Sequence, residues 1–200
     1  AANSSIAIGN NSKTFAASSI AIGYIDTASG QFASAFGALS TATATYSISL
    51  GTHSDATGYA AIAQGWNTKA SGSYSATFGY ATSTSGDYAN ALGYSTNVSG
   101  DYGTGLGYQS IVSGNYAIAM GYNDTASGSV STAIGYRSNA SGNYSHVIGS
   151  YGSTEGYTGA MILSDISLAT QVKSTVNNQL TARFSGGYRL FSNQGMTAGI

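Results

Sequence analysis

Cysteine and proline are both absent from the 200 residues of this chain, and charged residues make up only 6% of it. Without cysteine there is no disulfide or thiolate metal site, and the redox compartment cannot be read. Without proline, strand ladders can run uninterrupted, because proline has no N–H to donate to them. The formal net charge of −1 gives no indication of a nucleic acid or an anionic membrane as a partner.

Two further absences concern the membrane and the start of the chain. No apolar run approaches the ~20 residues that a membrane-spanning helix needs. The sequence starts at Ala1 with neither methionine nor a signal peptide, so we expect a processed product or a fragment. Hydrophobic residues nevertheless make up 42% of the chain and tyrosine contributes 16 residues, which argues against disorder.

Glycine is abundant, and most of it follows a fixed period of 14 residues. We call one position of the repeat column 0; it is occupied by Gly9, Gly23, Gly37, Gly51, Gly65, Gly79, Gly93, Gly107, Gly121, Gly135 and Gly149. Column 7 holds Gly30, Gly58, Gly72, Gly86, Gly100, Gly114, Gly128, Gly142 and Gly156, with Ala16 and Ala44 as exceptions. Glycine takes positive φ without penalty, so both columns are interpreted as turns.

Two turns per 14 residues leave two segments of about five residues, the usual length of a strand. A unit of this kind predicts one coil of a parallel β-solenoid, and each coil should add ~4.8 Å to the length. The eleven coils of residues 1–156 would then form a rod of roughly 50 Å. The predicted fold class is therefore all-β.

The strand that leads into each column-0 glycine is uncharged on both faces, apart from His146. Columns 9, 11 and 13 are mostly bulky, whereas columns 10 and 12 are small, and successive side chains point to opposite faces. Such a strand is usually buried on both faces, but a two-strand coil covers only one. The other face is most simply covered by an identical chain, which predicts a homo-oligomer. The sequence does not decide which face is inside, and a monomeric solenoid with a weakly apolar flank is the alternative.

The repeat, with the form G-Y-x-x-x-A-S-G-x-Y-A-x-A-I, resembles the head repeat of YadA-like trimeric autotransporter adhesins. Residues 4–12, SSIAIGNNS, are similar to the N-S-V-A-I-G-x-x-S motif of that family, with Ser4 and Ile6 replacing its Asn and Val. Residues 18–26, SSIAIGYID, match less closely, because Asp26 replaces the last Ser. The resemblance implies a left-handed parallel β-roll wound as a homotrimer, displayed outside a cell or particle and used for attachment.

Residues 157–200 depart from the repeat and are expected to form a stalk or hairpin segment. Residues 179–193 indicate a hairpin, with apolar and aromatic runs on either side of Gly186 and Gly187. This stretch resembles the lead-in to the self-cleaving intramolecular chaperone domain of tailspikes and tail fibres. The resemblance implies that such a domain followed Ile200 and was cut away. Residue 1 falls in the middle of a coil, so end-to-end association into a filament is also considered.

No group of residues in the sequence indicates catalysis, a metal or a cofactor. His53, Ser54 and Asp55 are consecutive, so their side chains would point to different faces and could not form a proton relay. Asp26 and Asp124 share column 3, and Asp87 and Asp101 share column 8; single aspartates at turns favour turn chemistry over a calcium site. The glycines lack the G-x-G-x-x-G pattern of a phosphate loop. We expect no enzyme activity.

Polar residues in column 11 are candidates for rings around a trimer axis. Asn90 and His146 lie in this column together with Thr104 and Thr132. If the column faced the axis, three copies of each could surround a water or an anion. A hydrogen bond inside the subunit is the alternative, since a buried polar group needs a partner.

The candidate ligand surface combines the first motif with an aromatic column. It comprises Ile6, Ala7 and Ile8 and, from column 1, Tyr24, Trp66, Tyr80, Tyr94, Tyr108, Tyr122 and Tyr136. Rings one coil apart should stack along the rod. They could bind sugars or proteins, or serve only as a ladder that stabilises the coils.

These features favour an attachment protein on a cell or virion surface that binds a matrix protein or a cell-surface glycan through many weak contacts. A bacteriophage tail fibre and a structural subunit of an extracellular filament are alternatives. An ice-binding solenoid would need threonines that recur by column, and only residues 41–45, TATAT, hint at such an array.

Overall fold

The chain folds into two parallel β-sheets that run side by side along the whole solenoid. The structure is a computed structural model that describes residues 4–167 and 169–189, and it contains no helix in that part of the chain. Each coil contributes one longer and one shorter strand, and strands of successive coils pair in parallel. The predicted all-β solenoid with 14-residue coils is confirmed; its handedness stays an implication of the resemblance.

The longer strands form a 13-stranded sheet in the order of the chain. They are β1 (Ile6–Asn10), β3 (Ile20–Tyr24), β5 (Ser34–Ala38), β7 (Ile48–Thr52), β9 (Ile62–Trp66), β11 (Ala76–Tyr80), β13 (Asn90–Tyr94), β15 (Thr104–Tyr108), β17 (Ile118–Tyr122), β19 (Thr132–Tyr136), β21 (His146–Ser150), β23 (Met161–Ser164) and β25 (Leu180–Arg183).

The shorter strands have two residues each and form a 12-stranded sheet. They are β2 (Lys13–Thr14), β4 (Thr27–Ala28), β6 (Thr41–Ala42), β8 (Asp55–Ala56), β10 (Lys69–Ala70), β12 (Ser83–Thr84), β14 (Asn97–Val98), β16 (Ile111–Val112), β18 (Thr125–Ala126), β20 (Asn139–Ala140), β22 (Gly152–Ser153) and β24 (Val172–Lys173).

The register between coils explains the 14-residue period. Ile62 pairs with Ala76, which in turn pairs with Asn90, so each column of the sequence becomes one straight row along the rod. The period ends after β21, because His146 pairs with Met161 and Met161 pairs with Leu180. Both sheets nevertheless continue past residue 156, through β23 and β25 in one and β24 in the other. Residue 156, where we predicted a domain boundary, thus lies at a change of period within continuous sheets.

The interior of the solenoid is built from small side chains. Columns 5, 10 and 12 hold mainly alanine and serine there, and the largest fully buried side chains are Ile162, Val98, Val112 and Val147. The small face of the longer strand is therefore the inside of the coil, and the bulky face points outwards. This settles the choice that the sequence left open.

Core volume is balanced between neighbouring columns where the repeat departs from alanine. Val98 and Val112 are fully buried in column 5, and they lie opposite Gly103 and Gly105. A Cβ on Gly105 would lie 2.7 Å from a methyl group of Val98. Larger side chains on the shorter strands are thus accommodated by the absence of side chains on the longer strand, as close packing requires.

The glycine columns are needed for close approach between coils, and the turn interpretation given above is corrected in part. Gly93 lies inside β13, with φ +134°, and a Cβ there would lie 1.9 Å from the carbonyl oxygen of Gly107. The Gly72 carbonyl accepts the Ser75 N–H and so begins a turn. A Cβ added at Gly72 would lie 1.9 Å from the Gly86 carbonyl oxygen. Both positions exclude a side chain because the next coil passes directly over them.

The left-handed turn residues are in columns 2 and 9 and are seldom glycine. Gln109 in column 2 has φ 53° and Tyr102 in column 9 has φ 57°. Non-glycine residues in this region are uncommon. Here the turn is fixed by backbone bonds to the preceding coil, such as the one from the Gln109 N–H to the Tyr94 carbonyl.

Candidate binding surfaces

The outward face of the 13-stranded sheet is a mainly apolar surface, formed by columns 11 and 13 of β1 to β21 and referred to below as the outer face. Exposed fractions reach 57% for Ile8, 51% for Leu92 and 45% for Ile148. Contiguous apolar patches of this kind are rare on soluble monomers and mark contact surfaces. Ile6 and Ile8 of the first motif lie on this face, whereas Ala7 is in the inward column 12.

The two candidate axial residues both lie on the outer face, but far apart along it. Asn90 is exposed in β13, and its side-chain amide donates to the Tyr88 carbonyl at 3.4 Å. His146 in β21 pairs with Thr132 of the neighbouring strand. Three strands of the sheet separate Asn90 from His146, so each would form a ring of its own.

The aromatic column stacks as expected over most of its length. The ring centroids of Tyr80, Tyr94, Tyr108 and Tyr122 are 4.9 Å apart, and the rings lie within 5° of parallel. Trp66 stacks on Tyr80 at 4.5 Å and Tyr136 on Tyr122 at 5.1 Å. Tyr24 is separated from this ladder by Ala38 and Thr52 in the same column. Because stacked rings cover one another's faces, the ladder presents mainly ring edges and phenol hydroxyls.

A second aromatic ladder, in columns 8 and 9, forms at the other turn. Its rings are Phe32, Tyr46, Tyr59, Tyr74, Tyr88, Tyr102 and Tyr116, with centroid distances of 4.8 to 5.8 Å. The aromatic preference of column 9 was visible in the sequence, but its stacking was not predicted. The two ladders brace both turns of the coil, and each aromatic pair contributes ~0.5–1.5 kcal/mol beyond area burial.

The column-8 aspartates cap backbone groups of neighbouring coils. The Oδ1 atom of Asp87 accepts the Ser73 N–H at 2.7 Å, and that of Asp101 accepts the Asp87 N–H at 2.9 Å. Asn115 and Asn143 make equivalent bonds in the same column. These acids act in turns, and the described residues contain no cluster of three or more His, Cys, Asp or Glu side chains.

The column-3 aspartates are buried and have the same capping role. Asp124 accepts the Ser138 N–H at 2.8 Å and the Gly135 N–H at 2.9 Å, and Asp26 accepts the Ser40 N–H at 2.8 Å. Burial raises the pKa of Asp124 to about 6, although the two N–H bonds act in the opposite direction.

Column 3 also contains a buried hydroxyl ladder that our reading of the sequence missed. The hydroxyls of Ser12, Ser40, Ser54, Thr82, Thr96 and Ser138 each donate to the column-0 glycine carbonyl of the next coil, at 2.8 to 3.1 Å. Ser, Thr or Asp occupies this column in every coil from Ser12 to Ser138, a signal that was available. Ser54 is thus a structural donor, and the His53 ring lies against Trp66 at 6.5 Å.

The tail beyond residue 156 is organised differently. Its ion pairs join Lys173 to Glu155 at 3.3 Å and Arg183 to Asp165 at 3.5 Å. The first arm of the predicted hairpin contains β25, which pairs in parallel with β23, and Gly187 donates to the Phe184 carbonyl in a turn. Most of the second arm, residues 190–193, lies outside the described residues.

Together these features define a parallel β-solenoid repeat protein with an apolar outer face. The family model described as "YadA head domain repeat (2 copies)" matches residues 2–24, 28–54, 56–76, 99–123 and 126–151. These stretches cover more than half of the chain, which therefore belongs to the YadA head repeat family. No curated protein matches the chain.

Membership of this family indicates the role of the protein and where it is displayed. Repeats of this family indicate a role like that of a trimeric autotransporter adhesin, on a surface-exposed or extracellular part of a cell, and they are consistent with a homotrimer. Residues 77–98, which the family model does not match, keep the same register as their neighbours. Among the described residues, no helix has the length and apolarity to cross a membrane.

Proposed function

We propose that this chain is the head of a homotrimeric extracellular attachment fibre, and that its outer face packs against two further copies of the chain. The outer face is the observation that carries the proposal. It runs roughly 50 Å along β1 to β21, at ~4.8 Å per strand. Since identical chains carry identical faces, the simplest way to bury it is a closed symmetric assembly.

The positions that interrupt the outer face have a role in this assembly. Asn90 and His146 would each face their copies across the axis, where polar groups need hydrogen-bond partners. Gln64 in column 13 is a further polar residue on this face. We propose that these residues enclose ordered water or a small anion and fix the register of the three chains.

The surfaces turned away from the axis would make the attachment. These are the 12-stranded sheet and the aromatic column at its corner, both of which repeat from coil to coil. A repeated surface on a stiff rod offers many copies of a weak contact, and linking them raises the overall avidity far above a single contact. The proposed targets are matrix proteins and cell-surface glycans.

The tail adds a second part to the proposal. Residues 157–200 would form the segment that joins the head to a self-cleaving chaperone, as the resemblance of residues 179–193 implies. The parallel strands of β23 and β25 support this, because they extend the head sheet into the tail without a break. Mass spectrometry of the product of the whole gene would test it by locating the cleavage site.

A bead assay tests attachment. Fluorescent beads coated densely with the protein should adhere to at least one surface in a panel of immobilised matrix proteins and mucin, whereas sparsely coated beads should not, because avidity requires many contacts. A variant with Leu92→Lys and Met120→Lys should lose dense-bead adhesion by losing the trimer. Trimeric protein that adheres to none of these surfaces at any coating density would contradict the proposed function.

A further inference from the structure

A groove of about 430 Å³ follows the corner between the aromatic column and the shorter strands. Its walls are two rows, with Thr96 of column 3 between them: Ala81, Ser95, Gln109 and Asn123 from column 2, and Ser83, Asn97 and Ile111 from column 4. We call it the amide groove. It crosses four coils, a length of roughly 14 Å at ~4.8 Å per coil.

The amide groove is uncharged, whereas the same two columns carry charge on either side of it. One coil before Ser83, column 4 holds Lys69, and one coil after Asn123, column 2 holds Arg137. Arg137 lies over the ring of Tyr136, 5.4 Å from its centroid. The neutral stretch is thus bounded by a cationic side chain at each end.

The amide side chains in the groove are not used by the fold. Asn97, Gln109 and Asn123 are exposed, and within the described residues their amide groups have no hydrogen-bond partner in the protein. By contrast, the exposed Asn115 and Asn143 in column 8 cap backbone N–H groups. Each free amide offers two donors and one acceptor oxygen, so the groove presents an unused row of both kinds of group.

The common modes of peptide recognition do not fit this groove. Backbone groups along it already pair between coils, as the Ser95 and Gln109 N–H groups do with Tyr80 and Tyr94, so a peptide cannot be added as a strand. Ile111 is the one large apolar side chain in the lining, which is too few for a helix groove. The adjoining Tyr80, Tyr94 and Tyr108 rings stack on one another and leave no slots for proline.

We infer that the amide groove binds an extended, uncharged oligosaccharide. Sugar hydroxyls both donate and accept, as the amides and serine hydroxyls of the groove do. The inference rests on the proposed attachment function and names its ligand class.

Isothermal titration tests the inference with the purified protein and short oligosaccharides of glucose, mannose and N-acetylglucosamine. At least one neutral oligosaccharide should bind. A variant with Asn97→Asp and Gln109→Glu should bind it at least about tenfold more weakly, a change of ~1.4 kcal/mol. The matched control is Asn67→Asp, an exposed column-2 asparagine outside the groove, and it should bind normally.

A second variant distinguishes a loss of binding from a loss of folding. Gln109→Ala introduces the residue that column 2 already carries at Ala81, so the coil should fold, and binding should again weaken. The inference is overturned if no neutral oligosaccharide binds, if binding is unchanged in the groove variants, or if only sulfated oligosaccharides or a Pro-Gly repeat peptide bind. Beads coated with the groove variants distinguish the two proposals. If these beads still adhere, the proposed attachment function holds but does not depend on the groove.

Discussion

The regular coils and the tail of this molecule are built from the same parallel sheets but are held together by different means. Between β1 and β21, small buried side chains, buried hydroxyl bonds and stacked rings repeat every 14 residues. Beyond residue 156 the coils lengthen, two surface ion pairs appear, and Ile166 and Leu180 are 69% and 64% exposed. A strict period therefore lets the same core residues, hydroxyl bonds and ring contacts recur from coil to coil, whereas the tail keeps the parallel strand pairing but loses that recurrence.

The largest difference between the two regions should appear at glycine. In Gly93→Ala, the added Cβ would collide with the Gly107 carbonyl at 1.9 Å, at a φ of +134°. We expect a loss of more than ~4 kcal/mol, which few single substitutions cause. In the tail, Gly186→Ala meets no atom within 4 Å and should change stability by less than ~0.5 kcal/mol. Denaturant unfolding at one fixed protein concentration measures both; equal effects would contradict the account.

Core volume should matter next. Gly105→Ala places a methyl group 2.7 Å from Val98 and should cost ~1–3 kcal/mol through overpacking. Adding Val98→Ala removes this collision, although the one with a methyl group of Thr96 at 2.8 Å remains. The double variant should therefore be more stable than the sum of the two single changes predicts, by ~0.5–3 kcal/mol. Purely additive effects would show that these two columns do not pack against each other.

The two regions should also respond to pH in opposite directions. The folded-state pKa of Asp124 is raised to about 6, above the ordinary value of ~3.9. Its contribution to stability is thus present below pH ~4 and is lost as the pH rises through 6, a change of ~3 kcal/mol by linkage. Asp124→Ser, which introduces the residue found at the same column in Ser138, should remove this part of the pH dependence measured by unfolding.

Asp165 in the tail provides the contrast. The Ser167 hydroxyl, with the Ser185 N–H, holds the pKa of Asp165 well below its usual value. Its contribution is therefore present above pH ~4 and lost as the pH falls below that value. Hydrogen exchange should show residues 165–185 losing protection at low pH while the regular coils keep theirs. Loss of protection in both regions together would contradict the separation.

The smallest effect is expected from the aromatic column. Tyr94 stacks on both neighbours at 4.9 Å, whereas the residues on either side of Tyr24 in its column are Asn10 and Ala38. Tyr94→Leu should therefore cost ~1 kcal/mol more than Tyr24→Leu, on the scale of two lost ring pairs. Thermal melting of the two variants would measure the difference, and equal melting temperatures would show that the stacking adds nothing.

The sequence predicted the coil, its length and the end of the period, because a register of 14 residues shows directly as columns. The sequence could not show which face of the longer strand lies inside the coil, because both faces are uncharged. The structure shows that the two sheets approach closely, so only small side chains such as Ala91 fit between them, and large ones such as Leu92 point outwards. The sequence showed the glycine columns but not why glycine is required in them, because a side chain at Gly93 would collide with a carbonyl group of another coil. The amide groove depends on which amides the fold leaves free, and spacing alone does not show that.

Sedimentation equilibrium of the purified protein in dilute buffer tests the central claim, that the outer face is covered by two copies of the chain. We predict a single species with three times the chain mass, and dissociation when Leu92 and Met120 are both replaced by lysine. A well-folded species with the mass of one chain, stable on dilution with its outer face open to water, would contradict it.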